Sequence, residues 1–189
     1  MILFIGLRVY DRENLPKEKP YIIVSNHASH LDAISLLDIF PLDELNNVRP
    51  VAASDYFERN WFTSFISHLL FNILSIERKV VSKHSDPLAP LKQALDSNQV
   101  LIFFPEGTRS VTGEIGNFHS GIVHIIEKYP DVPIVPVYLG NMWRSLPKGE
   151  FLPVPFFCEV RIGKPLFPKG ERSSQLNQIR DSILTLRGK

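Results

Sequence analysis

Four short apolar runs constrain the fold of this 189-residue chain more than any other feature. They are YIIVSN (21–26), VLIFF (100–104), VPIVPVYL (132–139) and VPFFCEVRIG (154–163). Each is too short for a buried helix, and each is rich in β-branched or aromatic residues, as strands covered on both faces are. Two weaker runs read as further strands: VRPVAA (48–53), interrupted by Pro50, and NILSIER (72–78). Segments of helical spacing separate them. Asp32 caps a helix that carries Ile34, Leu36, Leu37 and Ile39 until Pro41 stops it. Ser54 or Asp55 opens another, through Trp61, Phe62, Phe65, Ile66, Leu69 and Leu70. Residues 86–97 place Leu88, Leu91 and Leu95 on one helical face, 121–128 is helical, and 173–186 closes the chain as an amphipathic helix. Strands alternating with helices predict an α/β fold over a single domain, 1–189, with a mixed, largely parallel sheet flanked by helices.

Composition narrows the chemistry. Lys and Arg total 21 against 20 Asp and Glu, so no net field selects a nucleic acid. The single cysteine, Cys158, excludes an internal disulfide and suits a reducing, cytoplasmic setting; within FFCEV it reads as a small buried side chain. No run reaches the roughly 18–20 apolar residues that a spanning helix needs. The opening MILFIGL is cut short by Arg8 and Asp11, which predicts a folded domain starting near it and, if a membrane is met, peripheral contact. The WFTSFISHLLF stretch (61–71) offers Trp61, Phe62 and Phe65 for that contact, or for a core helix. Arg180, Arg187 and Lys189 offer the last helix a contact for anionic lipid, but read better as its solvated basic end.

In open α/β sheets ligands gather at the carboxyl ends of strands, and two polar segments fall there. The first is NHASHLD (26–32). A strand-to-helix turn can bring the Asp32 carboxylate beside the His27 ring. The carboxylate would fix the tautomer and stabilise the imidazolium, leaving the other ring nitrogen to take a proton. The plain alternative is a capped turn with a satisfied histidine. His30 admits a metal reading of HxxHxD, but no further ligand cluster accompanies it, and His68, His84, His119 and His124 have no metal-site spacing. The second segment is FFPEGTRS (103–110). Gly107 lets backbone approach a ligand, Arg109 presents a planar fork suited to phosphate, and Glu106 is placed to anchor the turn. Alone, it reads as an ordinary polar turn. Arg78, at the end of NILSIER, is a further cation at a strand end. No GxSxG elbow occurs, which leaves a serine hydrolase unsupported.

Taken in order, NHASHLD, ILSIER, FPEGTRS and VPIVPV resemble the four blocks of the PlsC-like glycerolipid acyltransferases, the family of 1-acylglycerol-3-phosphate acyltransferases, over 7–166. The resemblance implies that His27 is the general base on an acceptor hydroxyl, oriented by Asp32. It implies that Arg78, Glu106, Gly107, Thr108 and Arg109 hold a glycerol-phosphate head group. It implies a lysophospholipid acceptor, an acyl-CoA or acyl-carrier protein donor as co-substrate, no metal, no cofactor, and a place in phospholipid biosynthesis at the membrane surface. Two departures stand out. Where the family often has a basic residue after EGTR, this chain reads Phe118-His119-Ser120-Gly121, and Asn72 opens the block ending at Arg78 where glycine is common. A lipid-binding protein of this fold without turnover, and acylation of a different lysolipid, are the competing expectations.

Overall fold

The computed structural model describes residues 6–53, 72–76, 86–145 and 157–188. Among these residues seven strands form one sheet: β1 (Gly6–Tyr10), β2 (Ile22–Ser25), β3 (Val48–Ala53), β4 (Leu74–Ile76), β5 (Val100–Phe103), β6 (Ile134–Gly140) and β7 (Phe157–Ile162). The helices are α1 (Leu31–Leu37), α2 (Ala89–Asp96), α3 (Gly121–Lys128), α4 (Met142–Ser145) and α5 (Arg172–Arg187), with short 3-10 turns at Arg12–Asn14 and Leu42–Asn47. The strand order is β1-β7-β6-β2-β5-β3-β4. Every neighbouring pair is parallel except β6 with β7, so the sheet is mixed and largely parallel, as the alternating pattern predicts.

Period-two alternation sends each central strand's side chains into two separate cores. Ile23, Ile102, Val135 and Val137 pack on one face with Leu36 and Leu37 of α1, together with Cys158 and Val160. Ile22, Val24, Leu101, Phe103 and Ile134 pack on the other face with Leu91 and Leu95 of α2, Ile122, Val123 and Ile126 of α3, and Ile179 and Ile183 of α5. Both faces of β2 and β5 are therefore covered, which is why their sequences are continuously apolar. Cys158 is free and buried, and burial raises its thiol pKa, as befits a packing residue.

Several elements differ in detail from the sequence expectation. β1 was not foreseen. It is an edge strand of mostly exposed residues, GLRVY, and lacks the apolar run that marks the central strands. α1 begins at Leu31 and follows His30, so Asp32 lies inside the first turn and does not cap the helix; its carboxylate turns back to peptides that precede it. Pro50 does sit in a strand, but where β3 pairs with β5 alone; pairing with β4 starts at Val51. Pro136 repeats this in β6, facing Val24 of β2 before pairing with β7 starts at Val137. In both strands the missing N–H falls where one neighbour's ladder has not begun. The expected helix through Trp61, Phe62 and Phe65 and the residue Arg78 lie outside the described residues. Among the described residues no helix is long and apolar enough to cross a membrane.

The topology creates one crevice. From β2 the chain moves two places along the sheet to β3, and from β5 it moves two places the opposite way to β6. Adjacent parallel strands whose outgoing connections part in this way leave a gap at their carboxyl ends. The NHASHLD and PEGTRS segments leave β2 and β5 there, side by side.

Candidate active site

Asn26 fixes the first residue of the loop after β2. Its side-chain amide donates to the Leu139 carbonyl at 3.0 Å, and its Oδ1 accepts from the Leu139 N–H at 2.8 Å. The side chain thus continues the ladder between β2 and β6 beyond the last paired residues, Ser25 and Val137. Sequence reasoning assigned Asn26 no role. The available signal was a buried-strand run ending in a side chain able to mimic a peptide.

His27 follows, and its backbone is held on both sides by the 106–110 turn. Its N–H donates to Glu106 Oε1 at 2.9 Å, and its carbonyl accepts from the Ser110 N–H at 2.8 Å. The ring is partly exposed, at 23%, and stacks on Phe104 with centroids 4.3 Å apart and planes 24° apart. Nδ1 lies 2.8 Å from Asp32 Oδ2. Asp32 is fully buried, and the same oxygen accepts the N–H groups of Ala28 at 2.6 Å and Ser29 at 2.9 Å. The two backbone hydrogen bonds to that oxygen fix the carboxylate before it meets the ring. An ionised acceptor makes Nδ1 the protonated nitrogen of neutral His27, so Nε2 is the one left to take a proton.

Glu106 is 6% exposed and uses both oxygens on backbone: Oε1 on His27 and Oε2 on the N–H of Gly116, at 2.9 Å each. Burial raises its pKa, and these two hydrogen bonds partly offset that. The carboxylate is a brace between three loop segments. Gly107, at φ 65°, turns the chain in the left-handed region, and its N–H bonds the Phe104 carbonyl at 3.1 Å. Gly107 and Thr108 are exposed and Arg109 is half-buried. Among the described residues Arg109 Nη1 is buried and makes no hydrogen bond. His30, exposed at the start of α1, has its pKa lowered first by desolvation, then by Arg109 and His27, with Asp32 acting the opposite way. The Ser110 N–H bond to the His27 carbonyl, one residue on, sets Arg109 beside the His27 loop. His119, where the FHSG segment departs from the resemblance, is exposed, and its N–H bonds the Pro105 carbonyl at 2.8 Å.

The structure therefore brings His27, Asp32, Glu106, Gly107, Thr108 and Arg109 to one strand-end crevice, and adds Asn26, Phe104, Ser110 and Gly116 as residues that hold it. Among the described residues no group of three or more His, Cys, Asp or Glu side chains is placed to hold a metal ion.

Comparison with known proteins shows the family. The family described as Acyltransferase matches residues 6–140, more than half of the chain. The chain belongs to the acyltransferase family. It is 28% identical over 183 residues to the 1-acyl-sn-glycerol-3-phosphate acyltransferase alpha of Mus musculus, covering 94% of this chain and 61% of that protein. It is 30% identical over 194 residues to the 1-acyl-sn-glycerol-3-phosphate acyltransferase of Saccharomyces cerevisiae, covering 97% of this chain and 59% of that one. The chain thus spans about three fifths of the length of these relatives. The crystal structure of PlsC, the 1-acyl-sn-glycerophosphate acyltransferase of Thermotoga maritima, superposes with a TM-score of 0.72 at 25% identity, over 99% of this chain and 74% of that one. The acyltransferase fold of that structure is the mixed, helix-flanked sheet described above.

Proposed function

We propose that the protein transfers a fatty acyl group from the thioester of acyl-CoA or acyl-carrier protein to the free hydroxyl of a lysophospholipid, with 1-acylglycerol-3-phosphate as acceptor. The observation that carries this reading is the 2.8 Å contact of His27 Nδ1 with a buried, triply bonded carboxylate oxygen of Asp32. It leaves Nε2 as the base in a crevice whose other wall is the Arg109 turn. Nε2 removes the proton of the acceptor hydroxyl as its oxygen attacks the thioester carbonyl. The tetrahedral intermediate then collapses, the C–S bond breaks, and the imidazolium returns its proton to the departing thiolate. The products are an ester and a free thiol, and Asp32 stabilises the imidazolium between the two proton transfers.

The Arg109 guanidinium, with its unengaged Nη1, suits the acceptor phosphate, and the exposed Gly107–Thr108 backbone lies beside it on the turn. Arg78 would add a second cation to that head-group site. Glu106 would contribute by holding the turn, since both its oxygens are occupied by backbone N–H groups. The relatives named for 1-acylglycerol-3-phosphate support this acceptor, which also places the reaction at a membrane surface, with the protein in peripheral contact. His27→Ala is expected to lower kcat for acyl transfer by about 10²–10⁴-fold with the fold intact, as circular dichroism would check. The assay is a mass-spectrometric screen of lysolipid acceptors with one acyl-CoA and one acyl-carrier protein donor. Undiminished transfer by His27→Ala removes the mechanism. Transfer only to acceptors without phosphate removes lysophosphatidate, and free fatty acid release that is indifferent to lysolipid makes the protein a hydrolase.

A further inference from the structure

The loop between β5 and α3 is gripped from two sides at three consecutive residues. Arg187, in the last turn of α5, donates from Nη1 and Nη2 to the two carboxylate oxygens of Glu114, both at 2.7 Å. Ile115 is buried in the same core cluster as Ile179 and Ile183 of α5. The Gly116 carbonyl accepts from Arg180 Nε at 3.4 Å, while its N–H donates to Glu106 Oε2 at 2.9 Å. A side chain at 116 would bring its Cβ within 3.0 Å of that oxygen, so glycine permits the approach. The basic end of α5, expected as a solvated tail, is instead fastened to the loop that braces His27. Helix α5 lies beyond the residues 6–140 that the family pattern matches.

We propose that α5 is a positioning element of the active site, acting through residues 114–116 and the Glu106 carboxylate to set where His27 stands. The inference rests on the acyl-transfer reading for its kinetic consequence, though not for its structural one. One oxygen of Glu106 follows Gly116 and the other holds the His27 N–H, so a shift of the 114–116 segment reaches the base across a single carboxylate. General-base chemistry tolerates little such shift: a misplacement of about 1 Å can cost 10²-fold. The Arg187–Glu114 pair is exposed, and exposed pairs contribute modestly, so its reversal should tune the site rather than abolish it.

The test exchanges the pair's charges in the whole chain. Arg187→Glu and Glu114→Arg are each expected to lower kcat by about two- to fivefold with little change in KM for the acceptor. Each should also shift the His27 ring resonance in the NMR spectrum, assigned with His27→Gln. The double exchange, which restores an ion pair, should return both readings toward wild type. Three outcomes overturn the proposal: single exchanges that leave kcat and the resonance unchanged, a fall in kcat with an unmoved His27 resonance, or a double exchange that restores neither. If no acceptor is acylated by the wild type, the resonance and its recovery still decide the coupling, so failure of the acyl-transfer reading is distinguishable.

Discussion

Asp32 Oδ2 accepts three hydrogen bonds, and two of them come from peptides that any acceptor oxygen in that place would satisfy. This separates the carboxylate's shape from its charge. An asparagine oxygen can still take the Ala28 and Ser29 N–H groups, and so can hold the loop, but it cannot neutralise an imidazolium. Asp32→Asn is therefore expected to keep a melting temperature near wild type while kcat falls by about 10²–10⁴-fold. Calorimetry paired with steady-state kinetics checks this; a variant within a few-fold of wild-type kcat would show that the charge is dispensable. This pair was legible in the sequence, because His and Asp with four residues between them across a strand-to-helix turn can meet. Its surroundings were less so. Spacing gives no sign that Phe104 stacks on the ring or that Glu106 reaches the His27 peptide, since both contacts join residues more than seventy positions apart.

The central strands β2, β5 and β6 could be read from their apolar runs because both faces of each are buried, which removes the polar residues that would otherwise blur the pattern. Edge strand β1 could not, because its outward residues obey solvent rather than packing. Pro50 weakens the expectation of β3, a strand that the structure upholds: register, which sequence does not reveal, puts it, like Pro136 of β6, where a neighbouring ladder is not yet formed. Asn26 belongs to this scale too, as a side chain serving as one more rung between β2 and β6. Asn26→Ala would strip partners from the Leu139 N–H and C=O, at a cost of about 1–3 kcal/mol for each buried group left unpaired. Urea titration measures it, and a loss below about 0.5 kcal/mol would mean that the two peptide groups find water instead.

Across the whole molecule, Glu106 joins segments from both sides of the crevice, and its ionisation is tied to folding. Burial raises its pKa above the ordinary 4.5, so over the window between the unfolded and folded values the native state binds more protons than the unfolded one. This contribution to stability is greatest below that window and declines as pH rises through the folded value. Glu106→Gln cannot titrate. Its melting temperature relative to wild type is therefore expected to improve as pH rises from 4.5 toward neutrality, even if the lost brace leaves it less stable throughout. A constant offset across parallel thermal melts would place the carboxyl outside this linkage.

The 106–110 turn holds His27 by its peptide. Because the 106–110 turn grips the N–H and the carbonyl, its hold on position 27 does not depend on the imidazole, which meets Asp32 and Phe104 separately. The placement of the backbone at position 27 is thereby separated from the reactivity of its side chain. The scaffold can also hold a silent residue there, so a chain of this fold could lose its chemistry in a single step and remain a well-formed protein.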